Sequence, residues 1–357
     1  MRHNGRAEIH PEDLSGFDTI IDVRSPAEFA LDHIPGSINC PVLDNAQRAE
    51  VGTLYKQVSP FAARRVGAAL VSANISLHIS AFFSEKPKPW RPLIYCWRGG
   101  QRSGAMTHVL RAVGWDAHQL PGGYKTWRSH VMRQIETLPE RFTFRAVCGP
   151  TGSGKSLLLQ ALHQEGAQVL DLELMAAHRG SVLGDLPNQP QPAQRMFESQ
   201  LCLALMRLDP SRPVFVEAES RKIGMLHIPE SLMMAMRSSD CVRIQASVEA
   251  RVQLLIQEYH HFLTDLDLLE STMSRLNNLH GKTKIDAWMT LARAGRFVDL
   301  VNMLLTEHYD PLYSRSSSGN YAKLLEGENL EGGDLKEADF QRMALHLLKQ
   351  TLKKPKE

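Results

Sequence analysis

Apolar residues along the chain fall into two rhythms. Short apolar runs read as buried strands: "FDTIIDVR", "PLIYC", "RFTFRAVC", "AQVLDLE", "RPVFVEAE" and "DCVRIQAS". Between them lie segments with apolar positions at helical spacing, such as "FAARRVGAALVSANI" within a long helical stretch over 44–82. In "SPAEF", Ser25 is placed as an N-cap, Pro26 at the first helical position and Glu28 three residues on from the cap. "HIPGSINCPV" is a turn running into a short extended piece, and "KPKPWRP" is a loop. A helix from Ser103 to Val113 stops at Gly114. "DAHQLPGGYKTWRSHVMRQI" predicts a short extended piece, a Gly-Gly turn and a helix. The pattern restarts near Leu138-Pro139-Glu140. From about residue 264 it is mostly helical, with a loop at "SRSSSGNY" and a frayed end at "LKKPKE". Strand–helix alternation in both parts predicts parallel sheets with crossover helices. The expected domains are an α/β unit over 1–138, a second α/β core over 139–250 and a helical region over 251–357 packed on that core.

Composition narrows this little. The 357 residues are 43% hydrophobic and 22% charged, ordinary for a globular protein. A net charge of +2 leaves nucleic-acid binding to local patches rather than a global field. Cys40, Cys96, Cys148, Cys202 and Cys241 form no C-x-x-C pair, which argues against a disulfide framework or a zinc site and suits a reducing compartment. The N-terminus has no apolar core like that of a signal peptide. No stretch approaches the roughly 18 apolar residues of a membrane span. The expectation is a cytoplasmic monomer with no membrane contact.

"LIYCWRGGQRSG" (Leu93 to Gly104) places Cys96 where a strand becomes a loop and a helix follows. Ligands of parallel α/β sheets sit outside the carboxyl ends of strands. Gly99, Gly100, Ser103 and Gly104 let the loop turn with its N–H groups inward, a nest that holds negative charge and lowers a thiol pKa. Arg98 and Arg102 add donors for an incoming oxyanion. Cys96 is thus a candidate nucleophile receiving a group from an anionic donor.

"GPTGSGKS" fits G-x-x-x-x-G-K-S/T after a strand and before the helix "LLLQALHQEG". Gly149, Thr151, Gly152, Ser153 and Gly154 form the turn that approaches phosphate oxygens. Lys155 neutralises the terminal phosphates, and Ser156 is placed to ligate Mg²⁺. Asp171, Glu173, Glu217 and Glu219 are candidate acids or further metal ligands, and equally candidates for strand-end carboxylates in water. The loop holds phosphate without requiring nucleotide hydrolysis, so a diphosphate substrate fits it too. His178, Arg179, Arg221 and Lys222 follow strand ends and are candidate contacts for RNA or a diphosphate. Arg64, Arg65, Lys353, Lys354 and Lys356 read as solvated faces. His260 and His261 lie mid-helix without a spacing partner, and Cys148 reads as strand-end packing.

"IIDVRSPAEFALDHIPGSINCPV" resembles the first signature of rhodanese domains, with Asp22, Arg24, Glu28, Phe29, His33, Ile34, Gly36, Asn39 and Pro41 in the family's places. "LPGGYKTW" resembles the segment that closes the same fold. That resemblance spans about residues 10–136. It implies a central parallel sheet and a cysteine carrying a chalcogen as a persulfide-type adduct. From Cys96 to Arg102 the spacing is C-x5-R, one residue longer than in common single-domain rhodaneses. This resembles cysteine-dependent phosphatases, although Tyr95 stands where many of these have histidine. "GPTGSGKS" also resembles the loop of tRNA dimethylallyltransferases, which bind a prenyl diphosphate.

The rhodanese and P-loop pairing, with "DLELMAAHRGSVLG" and "VFVEAESRKIG", closely resembles the tRNA 2-selenouridine synthase family. The resemblance implies replacement of sulfur by selenium in wobble 2-thiouridine of tRNA, through an S-geranylated intermediate. Selenophosphate and geranyl diphosphate are the implied donors, Mg²⁺ an accessory ion, with no tightly bound organic cofactor. A selenophosphate-supplying enzyme is a possible partner. Two rivals stand beside it: a sulfurtransferase or phosphatase fused to an ATPase, and a non-catalytic RNA-binding regulatory module. The tail of the prenyl donor is expected in the helical region after residue 245.

Overall fold

The computed structural model describes residues 9–321 and 323–351. The chain divides into two compact units, Met1–Gln134 with Ala193–Leu203, and Ile135–Pro192 with Ala204–Glu357. The break after Gln134 falls close to the expected boundary at 138. The inclusion of Ala193–Leu203 in the first unit has no counterpart in the sequence pattern.

In the first unit, β1 (Thr19–Asp22), α1 (Pro26–Leu31), β2 (Ile38–Asn39), α2 (Asn45–Gln57), α3 (Pro60–His78), β3 (Pro92–Tyr95), α4 (Gln101–Val113), β4 (His118–Gln119) and α5 (Gly123–Thr137) follow in order. The strands form one parallel sheet in the order β2-β1-β3-β4. Strand β3 is central and wholly buried, as its unbroken apolar run requires. Its core holds Ile21, Ile94, Met106, Leu110, Phe83 and Trp90. The capping box at Ser25 and Glu28 forms as predicted, and Gly114 ends α4 in the left-handed conformation.

The expected helical stretch over 44–82 is two helices, because Val58-Ser59-Pro60 breaks it and Ser59 caps the second. A π turn, Ile79–Phe83, follows α3. Contrary to the sequence expectation, Pro60–Phe83 is long and apolar enough to cross a membrane by length and composition. In this unit it packs by burying Ala63, Gly67 and Ile75. Its Asn74 and His78 also donate to the carbonyls of Val42 and Pro41, at 3.0 and 2.9 Å.

The second unit begins with β5 (Phe144–Cys148), α6 (Lys155–Gln164), β6 (Gln168–Leu170) and α7 (Leu172–Ala176). Helix α8 (Gln194–Arg207), most of which belongs to the first unit, leads to β7 (Val214–Glu217), the hairpin β8 (Lys222–Ile223) and β9 (Leu226–His227), α9 (Glu230–Arg237) and β10 (Asp240–Gln245). Helices α10 (Val248–Glu258), α11 (His260–Thr264), α12 (Leu266–Met273), α13 (Asn277–His280), α14 (Lys282–Arg293), α15 (Phe297–Leu304) and α16 (Asp310–Asn320) follow. Strand β11 (Glu328–Glu331) and α17 (Glu337–Thr351) close the unit. The five-stranded sheet is parallel, in the order β11-β10-β5-β7-β6. Helices α6 and α17 pack on it through Leu158, Leu162, Phe340 and Leu347. Phe262, Leu269, Trp288, Leu300 and Leu304 form a separate helical core.

Four expectations change here. "AQVLDLE" stops being strand at Leu170, because Asp171 caps α7 by accepting from Leu174 N at 2.8 Å. "SRSSSGNY" continues α16 as helix through Asn320. His260 and His261 open α11 rather than lying mid-helix, since α10 ends at Glu258. The region after 264 includes strand β11, whose residues "ENLE" carry little apolar signal. Lys353, Lys354 and Lys356 lie outside the described residues.

Asp22 and Arg24 are buried together: Arg24 Nε donates to Asp22 Oδ2 at 2.9 Å and Nη2 to the Asp32 carbonyl at 2.7 Å. The guanidinium also lies over the Tyr124 ring, 4.1 Å from its centroid. Removing one partner of a buried ion pair leaves the other charge uncompensated. Arg24→Ala is therefore expected to cost roughly 3–5 kcal/mol in denaturant unfolding of the full chain. A loss below about 1 kcal/mol, the size of an exposed pair, would contradict that role.

Candidate functional site

The first site is the turn after β3. Cys96 is 4% exposed and its Sγ accepts a hydrogen bond from Ser103 Oγ at 3.2 Å. Burial raises the thiol pKa. The Ser103 hydroxyl, the backbone N–H groups of Ser103 and Gly100 and the charge of Arg102 outweigh it, so the pKa falls below the ordinary thiol value. Ser103 sits in the first turn of α4, so the helix N-terminus adds its own field.

The turn is held from outside its own sequence. Gln119 Nε2 donates to the carbonyls of Gly99 (2.6 Å) and Gly100 (3.1 Å) and to Ser103 Oγ (2.8 Å). Tyr124 N and Lys125 N donate to the carbonyls of Cys96 (2.8 Å) and Trp97 (3.0 Å). Gly123, at φ +59°, makes this possible: a Cβ there would lie 2.2 Å from the Cys96 carbonyl oxygen and 2.5 Å from Gly99 N. That contact explains the second rhodanese-like segment, "LPGGYKTW". Arg102 Nη1 bonds Glu28 Oε2 at 2.9 Å, which aims it across the turn, whereas Arg98 is exposed. Tyr95 is buried and structural, its hydroxyl accepting from Ile34 N at 3.1 Å.

The second site is the turn after β5. Gly154, at φ +79°, caps α6 in the left-handed conformation, and a Cβ there would lie 2.4 Å from the Phe340 ring. Lys155 Nζ donates to the Gly149 carbonyl at 3.2 Å, and Ser156 Oγ to Glu173 Oε2 at 2.7 Å. Ser153 is fully buried under the loop, and its Oγ has no partner among the described residues. Thr151 is fixed by its carbonyl, which accepts from Arg251 Nε at 2.9 Å. Arg251 in turn grips Asp310 with two bonds of 2.6 and 3.1 Å.

A cleft of ≈ 620 Å³ lies over this loop, with Asp171, Glu173, Glu219, His178 and Arg179 in its walls. Glu217 is fully buried, accepting from Leu172 N at 3.1 Å. Burial, then the nearby carboxylates of Asp171 and Glu173, push its pKa well up. Glu219 is raised to about 7, first by burial and then by Glu173, against the pull of Lys155. The four candidate acids therefore form one cluster rather than separate solvated strand ends. His178 is buried, its Nδ1 accepting from Gly180 N at 3.1 Å and its Nε2 lying 3.4 Å from Asp185. Arg179 pairs with Glu258 and lies over the Tyr259 ring, 4.9 Å from its centroid. Arg221, paired with Glu230, and Lys222 are exposed and do not line the cleft. Cys148 is buried beside Cys241, which together with burial pushes its thiol far up, as suits a packing residue.

Among the described residues no three His, Cys, Asp or Glu side chains converge as a ready metal site. The Ser156–Glu173 pair still fits Mg²⁺, which takes oxygen donors and commonly binds through one or two protein groups plus water and substrate phosphate. Ser103 was read as a small residue of the turn, and the structure adds that its hydroxyl donates to the thiol. Several functional residues escaped the sequence reading. Gln119, Arg251, Asp310, Tyr259 and Tyr309 come from distant segments and had no signal.

A buried thiol turn of rhodanese type and a phosphate-binding loop on a separate parallel sheet define a two-domain rhodanese and P-loop protein. Family models agree: a rhodanese-like domain matches residues 7–130, and a tRNA 2-selenouridine synthase AAA domain matches 142–331. The chain is 38% identical over 247 residues to a tRNA 2-selenouridine synthase of Nitrosomonas eutropha, covering 67% of this chain and 62% of that protein. That alignment therefore spans less than two thirds of the relative. Longer matches are to tRNA 2-selenouridine synthases of Shewanella denitrificans (31%, covering 86% and 90%) and Shewanella oneidensis (32%, covering 82% and 85%). The chain belongs to the tRNA 2-selenouridine synthase family.

Two measurements check the electrostatics. Thiolate absorbance followed against pH, with Cys96→Ser as the blank, should titrate below the ordinary cysteine value. Ser103→Ala should move that midpoint upward, and an unmoved midpoint would remove Ser103 from the account. The acid cluster has the opposite sign. Glu219 keeps its proton to about pH 7 in the fold, while an unfolded glutamate loses it near about 4.3. Stability is therefore fully present below the lower value, falls as pH rises between the two, and stays reduced above. Glu219→Gln should flatten that fall in thermal melts of the full chain, and an unchanged slope would sink the assignment.

Proposed function

We propose that the protein modifies tRNA by replacing the sulfur of wobble 2-thiouridine with selenium, through an S-geranylated intermediate. Geranyl diphosphate is the prenyl donor and selenophosphate the selenium donor. The observation that carries this reading is the presence of two different anion-holding turns in one chain. One lowers the pKa of a thiol. The other is a phosphate loop beside a cluster of acids. The names of its relatives, tRNA 2-selenouridine synthases, support the tRNA selenation part of this reading.

The chemistry needs both. The C2 sulfur of a thiouridine is a poor leaving group. Alkylation at sulfur breaks the C–O bond to diphosphate, forms a C–S bond and leaves C2 electrophilic. The N3 proton must go to a base, and a carboxylate titrating near neutrality, as Glu219 does, is matched to that task. The selenium of selenophosphate then adds at C2, the C2–S bond breaks as geranylthiol departs with a proton from water, and hydrolysis of the P–Se bond releases phosphate. The backbone of Gly149–Ser156 and Lys155 hold the departing diphosphate. Mg²⁺, held by Ser156 and Glu173, would supply further neutralisation of that charge. Cys96, Arg98 and Arg102 serve the selenium step, where the turn's donors suit an oxyanion such as the phosphoryl group of selenophosphate.

Mass analysis of tRNA nucleosides tests the division of labour. In cells lacking the gene and complemented with Cys96→Ser, S-geranylated 2-thiouridine should accumulate and 2-selenouridine should be absent. With Lys155→Ala, unmodified 2-thiouridine should remain and the geranylated species should fall at least about tenfold, the size of losing one strong charge contact. Blockage of both variants at the same step would overturn the assignment. Normal 2-selenouridine with Cys96→Ser would overturn the role of Cys96, and 2-selenouridine persisting in cells that lack the gene would overturn the function itself.

A further inference from the structure

Next to Thr151 of the phosphate loop the second unit holds an almost wholly apolar cavity of ≈ 70 Å³. Thr151, Ser181, Leu255, Tyr259 and Tyr309 line both this cavity and the cleft over the loop, so the two spaces share a wall. Leu269, Leu300 and Val301 line the cavity alone, away from the phosphate cleft. The contact between loop and cavity is immediate: a Cβ on Gly152 would lie 2.8 Å from Leu255 Cδ1. Tyr259 and Tyr309 mark the change of polarity, since both hydroxyls interact with Ser181 and both residues line the apolar cavity as well as the cleft.

We infer that this cavity, bounded by Leu269, Leu300 and Val301, receives the hydrocarbon tail of the prenyl diphosphate whose head lies in Gly149–Ser156. The inference rests on the proposed prenyl-transfer reading and extends it to a site and a chain-length limit. A molecule occupying both spaces must be ionic at one end and hydrocarbon at the other. A nucleotide does not meet that demand: its base carries ring nitrogens and an amine that would be buried without partners in this lining, a costly arrangement. A branched isoprenoid has no such groups and gains by leaving water. The Arg251–Asp310 pair holds Thr151, a residue shared by the two spaces, in place. Leu269, Leu300 and Val301, which line the cavity alone, then set how much tail it accommodates. Val301 is the best probe, because it is only half-buried and lies outside the helical core cluster.

Calorimetric titration of the full chain with geranyl diphosphate, farnesyl diphosphate and inorganic pyrophosphate tests this. The wild type should bind geranyl diphosphate at least about tenfold more tightly than pyrophosphate, as burial of several methylene groups demands. Val301→Phe should abolish that advantage and leave pyrophosphate binding unchanged. Val301→Ala should tighten farnesyl diphosphate relative to geranyl diphosphate, an opposite effect at the same position that misfolding does not produce. Geranyl diphosphate gaining nothing over pyrophosphate, or keeping its advantage in Val301→Phe, overturns the tail site while leaving the phosphate loop standing. Should Val301→Phe fail to fold, absence of the farnesyl gain in Val301→Ala overturns it alone. Failure of both pyrophosphate and geranyl diphosphate to bind the wild type overturns the phosphate reading beneath it.

Discussion

A parallel strand that ends in a turn and is followed by a helix exposes backbone N–H groups with no internal partner. Both sites are built on that single constraint. Strand β3 leads into α4 through the Cys96 turn, and β5 leads into α6 through Gly149–Ser156. In each sheet the strand concerned is interior, with neighbours on both sides. Its end is therefore fixed by the sheet, and the turn inherits that rigidity. The helix dipole and the free N–H groups then favour negative charge at the turn whatever the ligand. The two turns differ in what fills the field. In one it is a side chain of the protein, a thiol whose pKa is lowered. In the other it is left for a phosphate group.

The sheets supply position, but distant segments set the geometry. Gly123 approaches the Cys96 carbonyl so closely that no side chain fits between them. Gln119 ties down the carbonyls of Gly99 and Gly100, so they turn away from the thiol and leave N–H groups facing it. In the second unit Arg251 and Asp310 clamp Thr151 from two different helices. A turn rich in glycine is permissive by itself. These external bonds convert permissiveness into one conformation, and a preorganised donor set requires no reorganisation when charge arrives.

The extent to which the fold and sites were legible follows from this split. The turns themselves, Cys96–Arg102 and Gly149–Ser156, are contiguous and could be read with their flanking strand and helix. The capping box at Ser25 and the stop at Gly114 are likewise local signals, and both formed. What escaped was non-local or compositionally quiet. Strand β11, "ENLE", is an edge strand whose pairing with β10 needs backbone groups rather than apolar side chains. Helix α16 runs through Ser-rich sequence that has poor intrinsic helical preference. Ala193–Leu203 joins the first unit, where Ser199 accepts from Trp127 Nε1 at 3.3 Å and Glu198 pairs with Arg128. Nothing in the periodicity of that helix states which core it serves. Asp171 looked like a strand-end acid because a strand and an N-cap share the same preceding residues.

The acid cluster poses the harder physical question, because four carboxylates beside a phosphate loop should repel a diphosphate. The environment resolves it. Burial and mutual repulsion push Glu217 well above the usual carboxylate range and raise Glu219 to about 7, so both are shifted toward their uncharged forms. Glu173 is turned toward Ser156, where a hydroxyl and a carboxylate together form an oxygen pair suited to a small hard cation. The opposite holds at Cys96, where a group that is ordinarily neutral is drawn toward its charged form. One turn therefore favours an anion on the protein, and beside the other the protein's own carboxylates are shifted toward neutrality, which favours an anion from solution. Under the proposed function, that inversion is what a chain needs in order first to release diphosphate and then to deliver a nucleophile. A single turn, tuned one way, could not meet both halves of it.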